Sequence, residues 1–225
     1  RPPRSTLFPY TTLFRSRDNW LIEFLSLDLV RHYTDVAFKL LFLFAFPLIC
    51  FIELFAPDII RLFAGPGFEG AILPMRITMF QLLIIGSEKI IVLQLLIPLR
   101  KDRTIVKAGL AGVVVWGLLT VLLVPCLQSV GTSLVWVAAE LVVLIIAAME
   151  SSRSLSIRFP FALLMKSILY ALPYLLMGSL VLLVTDSPVL RIIISILLFM
   201  TYAVILEDKV YQTGIIKTLK GLFSR

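Results

Sequence analysis

The chain has 225 residues, of which 60% are hydrophobic and 16% charged, with a formal net charge of +7 and a mean hydropathy of +1.01. Soluble domains are about 45–50% apolar, so this composition excludes an ordinary water-soluble protein and calls for the bilayer as a second solvent. Two cysteines, Cys50 and Cys126, and one histidine, His32, leave no basis for a zinc cluster or a Ser-His-Asp triad, and no glycine-rich phosphate loop is present; no enzyme activity, metal or cofactor is expected.

Residues 1–16 read as one translated frame of a short-read sequencing adapter. They lack the apolar h-region and small-residue cleavage site of a signal peptide, and are expected to be foreign to the fold, with native sequence beginning near Arg17. Within 17–35, the stretch Trp20–Val30 is apolar but carries Glu23 and Asp28 and is too short to span, so a cytoplasmic loop or interfacial helix is expected. Six apolar stretches follow, at 36–55, 71–99, 104–124, 130–149, 161–184 and 190–206. A crossing helix needs about 20 apolar residues, and the runs are continuous rather than alternating. The expected fold is therefore an all-α polytopic membrane protein, with six transmembrane helices forming one lobe over 36–208. Ala64-Gly65-Pro66-Gly67, Pro125 and Ser187-Pro188 mark its turns.

Lysine and arginine placement orients this lobe. Arg100, Lys101, Arg103, Lys107, Arg153, Arg158, Lys166, Lys209, Lys217, Lys220 and Arg225 fall on one side, against Arg61 and Arg191 on the other. By the positive-inside rule both ends are cytoplasmic. The basic residues are dispersed between apolar runs, which speaks against a nucleic-acid partner. In the tail, 209–225, Ile215, Ile216, Leu219, Leu222 and Phe223 share one helical face, with Lys217 and Lys220 opposite, as in a helix lying in the interface.

A charge at the centre of a spanning helix costs about 2.5–3.5 kcal/mol on insertion scales, and usually faces protein or a wet cavity. The second stretch carries Arg76, Gln81, Glu88, Lys89 and Gln94, the candidates for lining a substrate cavity. Gln81 and Glu88 share a face, and Arg76 and Gln94 share another. Adjacent Glu88 and Lys89 project about 100° apart and are not expected to pair side by side. Glu140, within Val135–Val142, is the candidate for coupling transport to protons; a structural, hydrogen-bonded Glu is the alternative. Lys39, Glu53, Lys107, Lys166 and Arg191 lie near span ends and are expected to snorkel to the headgroups.

Phe42-Leu43-Phe44-Ala45-Phe46-Pro47-Leu48 followed by Phe55-Ala56-Pro57-Asp58-Ile59-Ile60-Arg61-Leu62-Phe63-Ala64-Gly65, with Phe68, Glu69 and Ala71, resembles the opening of the C-terminal region of polysaccharide-biosynthesis flippases. Ile72–Ile77, Gln94–Asp102 and Val124–Glu140 resemble the segments that follow in that Wzx-like family of the multidrug/oligosaccharidyl-lipid/polysaccharide superfamily. The likeness covers about residues 36–150 by motif and 161–208 by topology alone. Two departures stand out: Arg100 replaces the usual Gly after the Pro98-Leu99 pair, and Gly112–Gly117 lacks the family's asparagines. The resemblance implies a fragment of a two-lobe transporter of the bacterial inner membrane. Its partners would be lipid-linked (undecaprenyl-diphosphate) oligosaccharide, membrane lipids and an N-terminal lobe of the same protein. A drug/cation antiporter or lipid II flippase of the same superfamily, or a fragment inactive by itself, are the alternatives.

Overall fold

The computed structural model describes residues 20–206, with side chains from Leu29 onward. The adapter-like segment 1–16 and the amphipathic tail 209–225 lie outside the described residues. Those described form helices and connecting turns, with no strand among them. Helix α1 runs from Trp20 to Phe63, so the stretch expected as a separate loop or interfacial helix is continuous, from Trp20 onward, with the first span. A short 3₁₀ turn, Glu69–Ala71, leads into α2 (Ile72–Met79) and α3 (Gln81–Ile91). Then come α4 (Asp102–Leu155), α5 (Phe161–Val184) and α6 (Pro188–Leu206).

Among the described residues, five helical stretches are long and apolar enough to cross a membrane, against the six expected. The difference lies in α4. At 1.5 Å per residue a straight helix of its length would reach about 80 Å, far beyond the roughly 30 Å hydrocarbon core. Instead the chain reverses at Gln128, whose backbone is non-helical (φ 49°, ψ −122°), and α4 is a hairpin. Its arms are the expected stretches 104–124 and 130–149. They pack closely because both are small-sided where they meet: a Cβ added to Gly112 would lie 2.7 Å from Val143 Cγ2 and 3.4 Å from the Ala139 carbonyl oxygen. Gly131 is held still more tightly, since its Cβ would lie 2.7 Å from the Leu123 carbonyl oxygen across the turn.

The second span is not one regular helix. Pro98 has no N–H to bond the carbonyl four residues earlier and its ring crowds that carbonyl. The chain responds with a π-helical turn over Val92–Leu96, in which Ile97 N–H donates to the Val92 oxygen at 2.9 Å. It ends at Arg100, a non-glycine residue in left-handed backbone (φ 53°), the position where the resembled pattern carries Gly.

Helix α1 is the centre of the bundle. It packs on α2 and α3 on one side and on α5 and α6 on the other, while the α4 hairpin leans on α2 and α3. The sequence explains this placement. Phe38, Phe42 and Phe46 recur every fourth residue, and successive rings lie 5.8 Å apart, forming a buried aromatic spine with Leu95 and Leu96 of the second span. Further along, Phe51 and Phe55 pack with Tyr174 and Val181 of α5. The Tyr174 hydroxyl donates to the Ser195 carbonyl at 3.2 Å, and the Tyr202 hydroxyl to that of Tyr170, joining α5 to α6.

Half of the most apolar window of α1 is buried, but only 6% of that of α4. Val106, Leu110, Leu118, Val121 and Leu122 of the hairpin all stand exposed. Water would not tolerate such a continuous apolar surface on a folded protein; lipid does. The architecture is that of an all-α polytopic membrane protein.

Candidate functional site

The chain alternates direction, so the connections around 100 and 156–160 share one end of the bundle, and those around 65, 128 and 186 share the other. At the first end Lys101 pairs with Glu150 at 3.0 Å and Arg31 donates to the Leu155 carbonyl at 3.3 Å. Arg100, Arg103, Arg153 and Arg158 gather there too.

The opposite end holds Arg191, and here the structure corrects the expectation of a side chain snorkelling to headgroups. Arg191 turns inward. Its Nη1 lies 3.4 Å from both carboxylate oxygens of buried Asp58, its Nε donates to the Thr185 carbonyl at 2.7 Å, and its Nη2 donates to the Leu182 carbonyl at 3.2 Å. Asp58 draws it in, since a buried carboxylate needs a partner and the guanidinium can satisfy it while capping the orphan carbonyls at the end of α5. Glu53 and Lys39 also have protein partners: Glu53 faces Arg76 at 3.7 Å and Lys39 bonds Asp35 at 2.7 Å.

A cavity of about 350 Å³ opens between α3 and the two arms of α4. Glu88 and Lys89 reach it from α3, Gly109, Gly112, Val113 and Trp116 from the first arm, and Trp136, Ala139, Glu140 and Val143 from the second. Helical spacing explains the convergence. Gly109, Gly112, Val113 and Trp116 recur at three- and four-residue intervals, as do Trp136, Ala139, Glu140 and Val143, so each arm turns one stripe to the opening. Gly109, with nothing within 4 Å of where a Cβ would stand, leaves the space.

Three of the candidate residues therefore meet at one site: Glu88, Lys89 and Glu140. The expectation that Glu88 and Lys89 cannot pair is corrected: Lys89 Nζ lies 3.1 Å from Glu88 Oε1. The backbone directions do diverge, but the four-carbon lysine stem folds back across them. Glu88 is buried and its second oxygen, Oε2, has no partner, while Lys89 remains exposed. Glu140 is half-buried.

The other three candidates lie elsewhere along the span. Arg76 sits against α1 through Glu53, with its Nε lacking a hydrogen bond. Gln81 is buried with Nε2 unpartnered, and Gln94 sits in the π-helical turn with Oε1 unpartnered. Apart from Ser195 Oγ, every buried side-chain polar atom without a partner among the described residues belongs to this one span. Buried polar groups are otherwise nearly always bonded, so the second span carries unused hydrogen-bonding capacity along its length. Sequence reasoning missed Trp116 and Trp136, although Trp136 stands four residues before Glu140 and so on its face.

No protein-family model, curated protein or solved structure matches the chain.

Proposed function

We propose that this chain is a membrane lobe of a transporter that carries lipid-linked (undecaprenyl-diphosphate) oligosaccharide across the bacterial inner membrane by alternating access. The observation that supports transport is the meeting of Glu88, Lys89 and Glu140 on one cavity between three helical segments of an otherwise apolar bundle. Ionisable groups are costly in such surroundings and mark pathways for polar cargo or protons. The resemblance supplies the cargo class, and Arg100 in left-handed backbone agrees with the glycine of the resembled pattern. The Lys/Arg-rich end is assigned to the cytoplasm by the positive-inside rule.

In this reading Lys89 is the anion partner. It is exposed at the cavity and held by one oxygen of Glu88, so a diphosphate competes with a single carboxylate for its ammonium. Glu140 is the coupling group: protonated, it leaves the cavity less negative and favours the anionic cargo; ionised, it favours release. Both lobes of such a transporter are needed for the cycle.

A second reading rests on the same lining. Two carboxylates against one lysine, beside the indoles of Trp116 and Trp136, also suit an organic cation. One substitution separates the two. In the longer protein implied by the resemblance, Lys89→Ala lowers oligosaccharide export by about tenfold or more, the loss expected for one charge-assisted bond, at unchanged protein level. Unchanged export of surface polysaccharide, with altered sensitivity to cationic dyes, favours the antiporter.

A further inference from the structure

A second, larger cavity of about 1000 Å³ lies apart from the polar one, between α3, the second arm of α4 and the start of α5. Its walls are Phe80, Leu83 and Ile84 on one side and Leu141, Leu144, Ile145, Ala148 and Met149 on the other, with Phe159 and Phe161 across the end. Leu144 is buried at its floor, whereas Leu141, Ile145 and Met149 stand exposed along it. The feature is a groove open to the side of the bundle.

Its length and polarity define what fits. The lining stripe from Leu141 to Ser152 rises about 16 Å along the helix, half of the roughly 30 Å hydrocarbon core, so the groove is one leaflet deep. At its end stands Arg158, between Ser152 and the beginning of α5. Arg158 is exposed and makes no ion pair or side-chain hydrogen bond with the described residues. This is also the end where Arg100, Arg103 and Arg153 gather. A free guanidinium is a bidentate phosphate partner, and basic pockets between transmembrane helices on the Lys/Arg-rich side take anionic lipid headgroups.

We propose that this groove is a binding site for an anionic membrane phospholipid, with one acyl chain lying along Leu141–Met149 and the phosphate paired with Arg158. The site does not depend on the transport reading. It holds a lipid whatever the polar cavity carries, and it couples the start of α5 to the second arm of α4 through the bound chain.

The full chain is reconstituted in nanodiscs of equal phosphatidylglycerol and phosphatidylcholine, and retained lipid is read by native mass spectrometry. The expected result is one phosphatidylglycerol retained per chain in preference to phosphatidylcholine. Arg158→Ala lowers that preference by about fivefold, the factor one basic side chain contributes near an anionic surface. Arg153→Ala, which removes the same charge from an exposed neighbouring position, leaves it unchanged. Ala148→Trp, which fills the groove, removes retention of both lipids while helicity stays intact. Equal retention of the two lipids by the wild-type chain, equal effects of Arg158→Ala and Arg153→Ala, or full retention by Ala148→Trp would each overturn the proposal.

Discussion

Individual polar side chains show how differently charge is handled at the two ends of this bundle and in its middle. Arg191 and Asp58 form a part-buried pair in which each satisfies the other, and removing one partner of such a pair costs about 3–5 kcal/mol because the remaining charge is stranded. Arg191→Leu is therefore expected to lower the melting temperature in detergent more than the double replacement Arg191→Leu with Asp58→Leu. A double variant no better than the single would show that Asp58 is not stranded when Arg191 is lost. In the middle, Glu88 and Glu140 line a cavity whose one lining cation is Lys89. Glu140→Gln keeps the shape and removes the carboxylate, so under the proposed function transport should lose its dependence on the proton gradient. Flux that still follows the gradient returns Glu140 to a structural role. The pairing of Glu88 with Lys89 was hidden from sequence reasoning because helical projection gives the direction of a Cβ, not the reach of a lysine stem.

At the level of elements, the apolar stretches were legible because a membrane-spanning helix is written as a continuous run of about 20 apolar residues. What those runs do not encode is where a helix continues through its neighbour. Pro47 and Pro57 do not end α1, since lipid-embedded helices tolerate proline where neighbours cover the freed carbonyls. Pro125 marks the end of the third apolar stretch in the sequence, whereas the reversal falls three residues later at Gln128. The irregular end of the second span follows from Pro98, and its final residue carries strain that can be measured. An L-residue in left-handed backbone costs roughly 1–2 kcal/mol, whereas glycine there costs only its extra unfolded-state entropy of about 0.5–1 kcal/mol. Arg100→Gly is thus expected to stabilise the chain by roughly 1 kcal/mol, seen as a raised unfolding midpoint. A lowered midpoint would mean that the Arg100 side chain makes a contact worth more than the strain.

For the whole molecule, composition alone indicated a bilayer protein, and the outward-facing apolar surface of the α4 hairpin is the structural counterpart of that excess. The candidate site was legible only in part. Each polar residue on the second span announced itself against an apolar background, but the sequence could not say that Glu88 and Lys89 turn towards Glu140 while Arg76 turns to Glu53. That division depends on which helices are neighbours, and neighbourhood is decided by shape: the aromatic spine of α1 gathers α2, α3, α5 and α6 around it, and the small residues Gly112 and Ala139 close the hairpin beside α3.

Under the proposed function, the cavity between α3 and the α4 hairpin is a passage for cargo that opens to each side of the membrane in turn. Trp136 lines it and is half-exposed, so a cysteine at that position, in a chain whose Cys50 and Cys126 are replaced by Ser, reports its access directly. The measurement is labelling of Trp136→Cys by a membrane-impermeant maleimide added to one side or the other of vesicles holding the protein. Alternating access predicts labelling from both sides, with lipid-linked oligosaccharide shifting the ratio between them. A cysteine that reacts only with a lipid-soluble maleimide, from neither aqueous side and regardless of cargo, would contradict it.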